Sequence, residues 1–262
     1  MGAVFRRPLA VLVLLALALA ACDVSGGEDR LRRVAESRRI ESSSPPEAFG
    51  VTPAPEAIPL DGDVVAVPHE RYTPMWELPG SSEEADFALD TRNPNGQLAP
   101  LLVEAAALVN GATWYEVLLP LRPNGTTAWV RAGDIDVRER TERIEVDLSE
   151  RTLWLFDGDE LVHRFDVGVG TPETPTGTGR FFVWVKVSYA DPSGPFGSAA
   201  LGLSGFSPVL SDWPGEGRMA VHGTADPSDR GRAVSHGCVR VFNDDLDALV
   251  DVPLGTPVEI RA

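Results

Sequence analysis

Short runs in which apolar and polar residues alternate fill most of the chain after residue 60. In RIEVDL, residues 143–148, the apolar Ile144, Val146 and Leu148 alternate with polar residues, which is the period of a half-buried β-strand. Asp157-Gly158 lies between two such runs and is a typical hairpin turn. The other strand-like runs are DVVAVPHE, LLVEAAALV, WYEVLLP, TAWVRAGD, GRFFVWVKVSYA, RMAVHG, CVRVF and GTPVEIRA. The pattern therefore predicts a mainly β protein.

Two segments depart from this alternation. After CVRVF, the sequence predicts one short helix that Asn243 caps, with acidic residues in its first turn and an apolar face that ends before Pro253. The apolar residues of that face are Leu246, Leu249 and Val250. The stretch DPSGPFGSAALGLSGF, residues 191–206, is rich in glycine and predicts a long loop, in the form of a flap over a substrate.

The N-terminus has the features of an export signal. Arg6 and Arg7 precede an apolar run, residues 9–21, which is shorter than the roughly 20 residues that span a bilayer. The run ends in LAAC and resembles the lipobox of bacterial lipoproteins, in which the cysteine carries the lipid. We therefore expect residues 1–21 to be a lipoprotein-type signal peptide, Cys22 to be the lipid attachment site, and the protein to lie at the extracytoplasmic face of the membrane or in the wall. Ordinary cleavage that leaves Cys22 unmodified is the alternative.

Composition divides the rest of the chain into three parts. Residues 22–60 are rich in Ser, Pro, Ala and charged residues and predict a disordered tether. Residues 61–138 predict a small all-β domain, and its two tryptophan-bearing runs around PNG resemble bacterial SH3-like barrels, so contact with a wall ligand is one expectation for it. A plain spacer with buried Trp114 and Trp129 is the other. Residues 141–262 form the third part, which carries the candidate chemistry.

The charge balance excludes one class of partner. Acidic residues outnumber basic ones 39 to 23, and the formal net charge is −16. Because phosphate contacts need concentrated Lys and Arg, the sequence argues against nucleic-acid binding.

The clearest chemical signal is the thiol in SHGCVR. A free thiol has a pKa near 8.5, so a cysteine nucleophile needs a base or a positive environment close to it. His222 ends one strand-like run and Cys238 begins another, so the loop between them can bring the imidazole to the sulfur. Gly237 permits close backbone approach, and the amides of Gly237 and Cys238 are candidate donors to an oxyanion.

These residues also carry a family resemblance. HGT and SHGCVR, preceded by GVGTPETPTGTGRF and GPFGSAALGLSGFSP, resemble the catalytic domain of bacterial L,D-transpeptidases. The resemblance covers residues from about 144 to the C-terminus and implies a β-sandwich-like domain. It also implies that Cys238 is the nucleophile and His222 the general base. Further residues that the resemblance places in the site wall, the oxyanion region or the loop support are Gly223, Ser235, His236, Gly237 and Arg240.

The resemblance implies a reaction as well. Cys238 would form a thioester with a tetrapeptide stem of peptidoglycan, and an amine of another stem would take the acyl group to give a 3-3 cross-link. The expected partners are peptidoglycan stem peptides and, through the lipid anchor, the membrane. No metal or organic cofactor is expected, and carbapenems should acylate Cys238.

Other interpretations of the same residues remain open. Water as acceptor would make the protein an L,D-carboxypeptidase, and a protein acceptor would attach stems to an envelope protein. A wall-binding lipoprotein without turnover is the non-enzymatic alternative. His222, His236 and Cys238 are also conceivable zinc ligands, Cys238 is conceivably a buried apolar residue, and a Cys22–Cys238 disulfide is a further possibility.

Overall fold

β-strands dominate the structure, as the alternating pattern predicts. The computed structural model describes residues 55–212 and 215–262, and within these ranges the chain forms eighteen strands and one α-helix. The mainly β fold class is therefore confirmed. The signal peptide, the lipid attachment at Cys22 and the tether up to residue 54 lie outside the described residues. No helix in the described ranges has both the length and the apolar character needed to span a membrane.

The N-terminal region is built on one antiparallel sheet. Its spatial order is β7-β6-β5-β2-β8, with β1 added to β5, and β3 and β4 form a separate hairpin. The strands are β1 Glu56–Ile58, β2 Asp63–Pro68, β3 Tyr72–Met75, β4 Phe87–Asp90, β5 Leu101–Val109, β6 Ala112–Leu118, β7 Thr127–Arg131 and β8 Ile135–Arg140. The runs read as strands in this region correspond to β2, β5, β6 and β7, whereas β3 and β4 lie in a polar stretch whose pattern predicted no strand. Whether the region is an SH3-like barrel stays a prediction.

The C-terminal region follows after the single residue Thr141 and contains an eight-stranded sheet. Its order is β11-β10-β9-β18-β13-β14-β15-β17, and β12 and β16 form a small parallel pair beside it. The strands are β9 Glu142–Asp147, β10 Thr152–Asp157, β11 Glu160–Asp166, β12 Val169–Gly170, β13 Gly179–Ser188, β14 Ala199–Phe206, β15 Arg218–Thr224, β16 Ala233–Ser235, β17 Val239–Phe242 and β18 Pro257–Arg261. The hairpin predicted at Asp157-Gly158 joins β10 to β11.

The loop predicted over residues 191–206 is wrong for its second half, which is strand β14. This strand pairs with β13 on one side and β15 on the other and is almost wholly buried. A Cβ on Gly202 would lie 2.6 Å from Val185 Cγ1, and a Cβ on Gly205 would overlap the Phe181 ring. The glycines that signalled a loop are therefore required by side chains of the neighbouring strand that cross over β14.

The predicted helix, α1, spans Asn243–Val250. Its buried side chains are Leu246 and Leu249, as expected. The cap prediction is wrong, because Phe242 occupies the cap position and no side chain caps the helix. Asn243 is instead the first helical residue, and its amide contacts the 191–198 loop.

Strand β13 supplies side chains to two hydrophobic clusters. Phe181 and Val183 belong to the core of the C-terminal region, whereas Phe182 is fully buried in the core of the N-terminal region and Trp184 packs against that same core. Because successive side chains of a strand point to opposite faces, β13 lies between the two cores. The described residues from 55 to 262 accordingly belong to one compact unit.

Candidate active site

Parallel pairing of β15 with β17 brings the predicted site residues together. Val221 pairs with Val239 and His222 pairs with Arg240. The two valines are buried in the core, so His222, Arg240 and Cys238 share the opposite face of the sheet. Cys238, which directly precedes β17, is thus a diagonal neighbour of His222 on β15, and both line the same pocket.

The His222 ring is held in one tautomer. The side chain is buried, and Nδ1 lies 2.8 Å from the Gly223 carbonyl oxygen. Because a carbonyl only accepts, Nδ1 carries the proton and Nε2 keeps its lone pair. Burial lowers the pKa of His222 from its ordinary 6.5 to about 4, with a further lowering by Arg240 that the Gly223 bond and Asp229 partly oppose. The imidazole is therefore neutral at pH 7.

The Cys238 thiol is half-buried and free. Burial raises its pKa, against the opposing effects of a backbone hydrogen bond with Ala220 and the positive charge of Arg240. A raised thiol pKa beside a lowered imidazole pKa means that the resting pair is a neutral thiol and a neutral imidazole. The geometry suits proton transfer during nucleophilic attack better than a preformed ion pair.

Ser235 organises the turn before Cys238. Its hydroxyl donates to the Cys238 carbonyl at 2.5 Å and accepts from the Gly237 N–H at 3.1 Å. Gly237 has φ +114°, a conformation that favours glycine, and an added Cβ would lie 3.3 Å from the Pro175 carbonyl oxygen. The Gly237 amide expected as an oxyanion donor is thus already bonded to Ser235.

Arg240 is fixed beside the pocket by a buried acid. Its Nη1 lies 3.1 Å from Asp229 Oδ2, and the Thr224 hydroxyl donates to that same oxygen at 2.7 Å. Asp229 is 5% exposed, so removal of the guanidinium would leave a carboxylate unpaired in a nearly dry environment. Arg240 Nε is buried without a hydrogen-bond partner of its own.

A pocket of about 270 Å³ joins these groups. It is lined by Pro195, Phe196, His222, Ser235, His236, Cys238 and Arg240. Of these residues, Pro195, Phe196 and His236 are exposed to solvent. No group of three His, Cys, Asp or Glu side chains in the described ranges is arranged to hold a metal ion.

An aromatic ladder covers the imidazole from the 191–198 loop. The Phe196 ring packs edge-on against His222 at 5.2 Å and stacks on Tyr189 at 5.5 Å. Burial raises the pKa of Tyr189, and the negative charge of Cys238 in its thiolate form raises it further. The loop itself is tied to α1, because the Asn243 amide donates to the Pro192 carbonyl at 2.8 Å and accepts from the Ser198 N–H at 3.2 Å.

Residues 141–260 match the YkuD family, the L,D-transpeptidase catalytic domain. The match includes every residue of the pocket, so the family resemblance noted in the sequence is confirmed for this part of the chain. We refer to residues 141–260 as the YkuD-type domain.

Two curated relatives carry the name "Putative L,D-transpeptidase YkuD". The protein of Bacillus licheniformis is 39% identical over 119 residues, which cover 45% of this chain and 64% of the relative. The protein of Bacillus subtilis is 34% identical over 119 residues, which cover 45% of this chain and 65% of the relative. Each match therefore spans somewhat less than two thirds of the relative's length.

Solved structures are also similar to part of this chain. The catalytic domain of the Enterococcus faecium L,D-transpeptidase, acylated by ertapenem, is 25% identical, with a TM-score of 0.36, and the match covers 47% of this chain and 99% of that one. An L,D-transpeptidase from Mycobacterium tuberculosis is 14% identical, with a TM-score of 0.40, and the match covers 58% of this chain and 90% of that one.

Sequence reasoning missed four contributors to the site. Asp229 lies in the linker between HGT and SHGCVR, where nothing in the sequence marks it as the partner of Arg240. Phe196 lies in the predicted flap and Tyr189 in the strand-like run just before it, but only the fold shows that the Phe196 ring packs against His222 and that Tyr189 stacks on Phe196. The position of Asn243 directly after CVRVF was a usable signal, although it was interpreted as a helix cap.

Proposed function

We propose that the protein is a peptidoglycan L,D-transpeptidase in which Cys238 is the nucleophile and His222 the general base. The observation that carries the proposal is the shared face of β15 and β17, where an imidazole with its Nδ1 proton bound to Gly223 lines one pocket with the thiol. The match of residues 141–260 to the YkuD family supports the same chemistry.

In the first half-reaction, Nε2 of His222 takes the thiol proton while the sulfur attacks the carbonyl of the third stem residue. A tetrahedral oxyanion forms and then collapses, the bond to the terminal D-alanine nitrogen breaks, and the imidazolium returns its proton to the leaving amine. The product of this step is a thioester. Since the Gly237 amide is bonded to Ser235, we assign the Cys238 amide as the backbone donor nearest to the oxyanion.

In the second half-reaction, the side-chain amine of another stem attacks the thioester carbonyl. The amine gives a proton to His222, the carbon–sulfur bond breaks, and the thiol is restored when the imidazolium protonates the sulfur. The result is a 3-3 cross-link. Arg240 and Ser235 support the turn that carries Cys238, and His236 forms part of the pocket wall in this proposal.

Intact-mass analysis with a carbapenem tests the nucleophile. We expect one adduct on the wild-type protein and none on Cys238→Ala. Incubation with a disaccharide tetrapeptide then tests the reaction, with a cross-linked dimer and free D-alanine as the expected products. Tripeptide alone would identify a carboxypeptidase, and an unmodified wild-type protein would refute the proposal.

We also propose that the protein is exported and anchored by a lipid on Cys22. The support comes from the sequence alone, namely the arginine pair, the apolar run of residues 9–21 and the LAAC ending. Metabolic labelling with a tritiated fatty acid should mark the wild-type chain and not Cys22→Ala. Equal labelling of both chains would rule out Cys22 as the attachment site.

A further inference from the structure

A loop of the N-terminal region holds a segment of the YkuD-type domain that lies beside the candidate site. We name residues 119–126, between β6 and β7, the clamp loop. The β14–β15 stem denotes residues 206–210 and 215–218, which flank the connection between those strands. The residues of the clamp loop and the stem that contact each other are 82 to 94 residues apart in sequence, so their contacts depend on the tertiary fold.

Arg122 of the clamp loop bonds three backbone carbonyls of the stem. Nη1 lies 3.1 Å from the Ser207 oxygen, and Nη2 lies 3.0 Å from the Leu210 oxygen and 2.7 Å from the Glu216 oxygen. The guanidinium also lies over the Phe206 ring at 4.5 Å. A planar cation with several donors can bridge both flanks of the stem at once, which an ammonium cannot do with the same geometry.

Asn124 adds a second, independent attachment. Its side-chain amide donates to the Phe206 carbonyl at 2.8 Å and accepts from the Phe206 N–H at 2.9 Å. This paired contact imitates a neighbouring β-strand and satisfies both backbone groups where β14 ends. Gly217 permits the close approach, since it has φ +73° and an added Cβ would overlap the Leu210 carbonyl.

The stem in turn contacts the turn that carries the nucleophile. Ser207 is buried, and its hydroxyl accepts from the N–H groups of Val209 and Leu210. A Cβ on Gly237 would lie 3.8 Å from this hydroxyl oxygen, so Ser207 borders the residue immediately before Cys238. A displacement of the stem is therefore expected to disturb the turn that carries Cys238.

From these contacts we propose that Arg122 and Asn124 are positioning residues of the candidate active site. They hold the β14–β15 stem in place, and this segment forms one wall of the binding site for the peptidoglycan tetrapeptide. The inference rests on the proposed function for the identity of that ligand. It assigns the N-terminal region a role in substrate binding through the clamp loop.

The test combines hydrogen exchange with steady-state kinetics in the full chain. In Arg122→Ala, we expect the amides of residues 207–210 and 215–218 to exchange faster while β9, β10 and β18 keep their protection. KM for the disaccharide tetrapeptide should rise about tenfold, with kcat changed by less than about twofold. Arg122→Lys should restore part of the loss, and Asn124→Asp should act in the same direction as Arg122→Ala.

Two controls separate positioning from general destabilisation. Arg92→Ala removes an exposed arginine of the same region outside the clamp loop and should leave exchange and KM unchanged. Alkylation of Cys238 by iodoacetamide should keep its pH profile in Arg122→Ala, because His222 and Arg240 are untouched.

Three results would overturn the inference. These are unchanged exchange in the stem, an unchanged KM, or a fall in kcat together with a shifted alkylation profile. A wild-type protein that turns over no stem peptide would refute the proposed function and the substrate-binding role together. In that case the exchange measurement would still decide whether Arg122 holds the stem.

Discussion

At the scale of single residues, the site combines a thiol that holds its proton with a base that resists protonation. Burial acts on both groups in the direction that favours the neutral form, raising the pKa of Cys238 and lowering that of His222. The positive charge of Arg240 lowers both pKa values, so it opposes the effect of burial at Cys238 and adds to it at His222. Three side chains on one face of two strands therefore determine when the site is reactive.

This arrangement predicts that the acid limb of the pH–rate profile lies at an unusually low pH. The kcat/KM for stem-peptide acylation should fall only as the pH approaches about 4, because protonation of His222 removes the base. The rate of iodoacetamide alkylation of Cys238 should keep rising above pH 9, because the thiol pKa is raised. A plateau of alkylation at neutral pH would indicate a thiolate–imidazolium pair instead.

The same shift predicts a pH dependence of stability. His222 has a lower pKa in the folded than in the unfolded chain, so the unfolded chain binds more protons between about pH 4 and 6.5. The free energy of unfolding should therefore increase across this window as the pH rises, with at most about 3 kcal/mol from His222. His222→Gln should remove that part of the slope in urea titrations at several pH values, and an identical slope in both proteins would contradict the assignment.

The Arg240–Asp229 pair gives a third expectation at this scale. Arg240→Met should lower the free energy of unfolding by about 3 kcal/mol, because it leaves a buried carboxylate unpaired. Asp229→Asn in the same chain should recover part of that loss. Urea denaturation of the single and double variants measures the coupling, and additive losses would show that the two side chains do not act as a pair.

At the scale of elements, the 191–198 loop is positioned by close backbone packing. A Cβ on Gly197, which has φ +63°, would overlap Gly223 and the Asn243 amide. The loop thus rests directly on the residue that orients His222. Its aromatic ladder depends on this approach.

Two substitutions test that packing. Gly197→Ala should push Phe196 away from the imidazole and lower kcat/KM by about tenfold or more. Asn243→Ala removes two hydrogen bonds to the loop and should cost about 1–2 kcal/mol of stability with a smaller loss of activity. Asp247→Asn, an exposed change on the same helix, is the matched control, and equal kinetics in all three variants would show that the loop position is irrelevant to turnover.

The elements also show how far the sequence could be interpreted. Alternation located β9, in which Ile144 and Val146 are buried and the residues between them are not, and the Asp157-Gly158 turn located the β10–β11 hairpin. It failed at β14, which is buried on both faces and whose glycines serve neighbouring side chains. The SHGCVR and HGT motifs predicted the residues that meet in the pocket, but the Asp229 partner and the Asn243 contacts arise from tertiary packing that no local pattern records.

At the scale of the whole molecule, the two regions share a strand. Phe182 belongs to the YkuD-type domain in sequence, but its side chain is buried in the core of the N-terminal region. The Arg180 guanidinium of the same strand pairs with Asp63 at 2.7 Å and with Glu104 at 3.0 Å, both in the N-terminal region. Stability of the candidate site should therefore depend on residues far from it in sequence.

Substitution of Phe182 tests this dependence. Phe182→Ala should lower the free energy of unfolding by about 3–5 kcal/mol, as expected for a large buried side chain. The unfolding of this variant should remain a single cooperative transition. Its midpoint should shift by the same amount when it is followed by tryptophan fluorescence and by circular dichroism. Separate transitions for the two regions would show that they fold independently.

The packing of β13 side chains into both cores also matters for protein engineering. A chimera joined at Thr141, with residues 142–262 taken from a relative, would place the N-terminal core that surrounds Phe182 against a strand from another protein. A stable graft of this region should therefore include the residues of β2 and β5 that pack around Phe182.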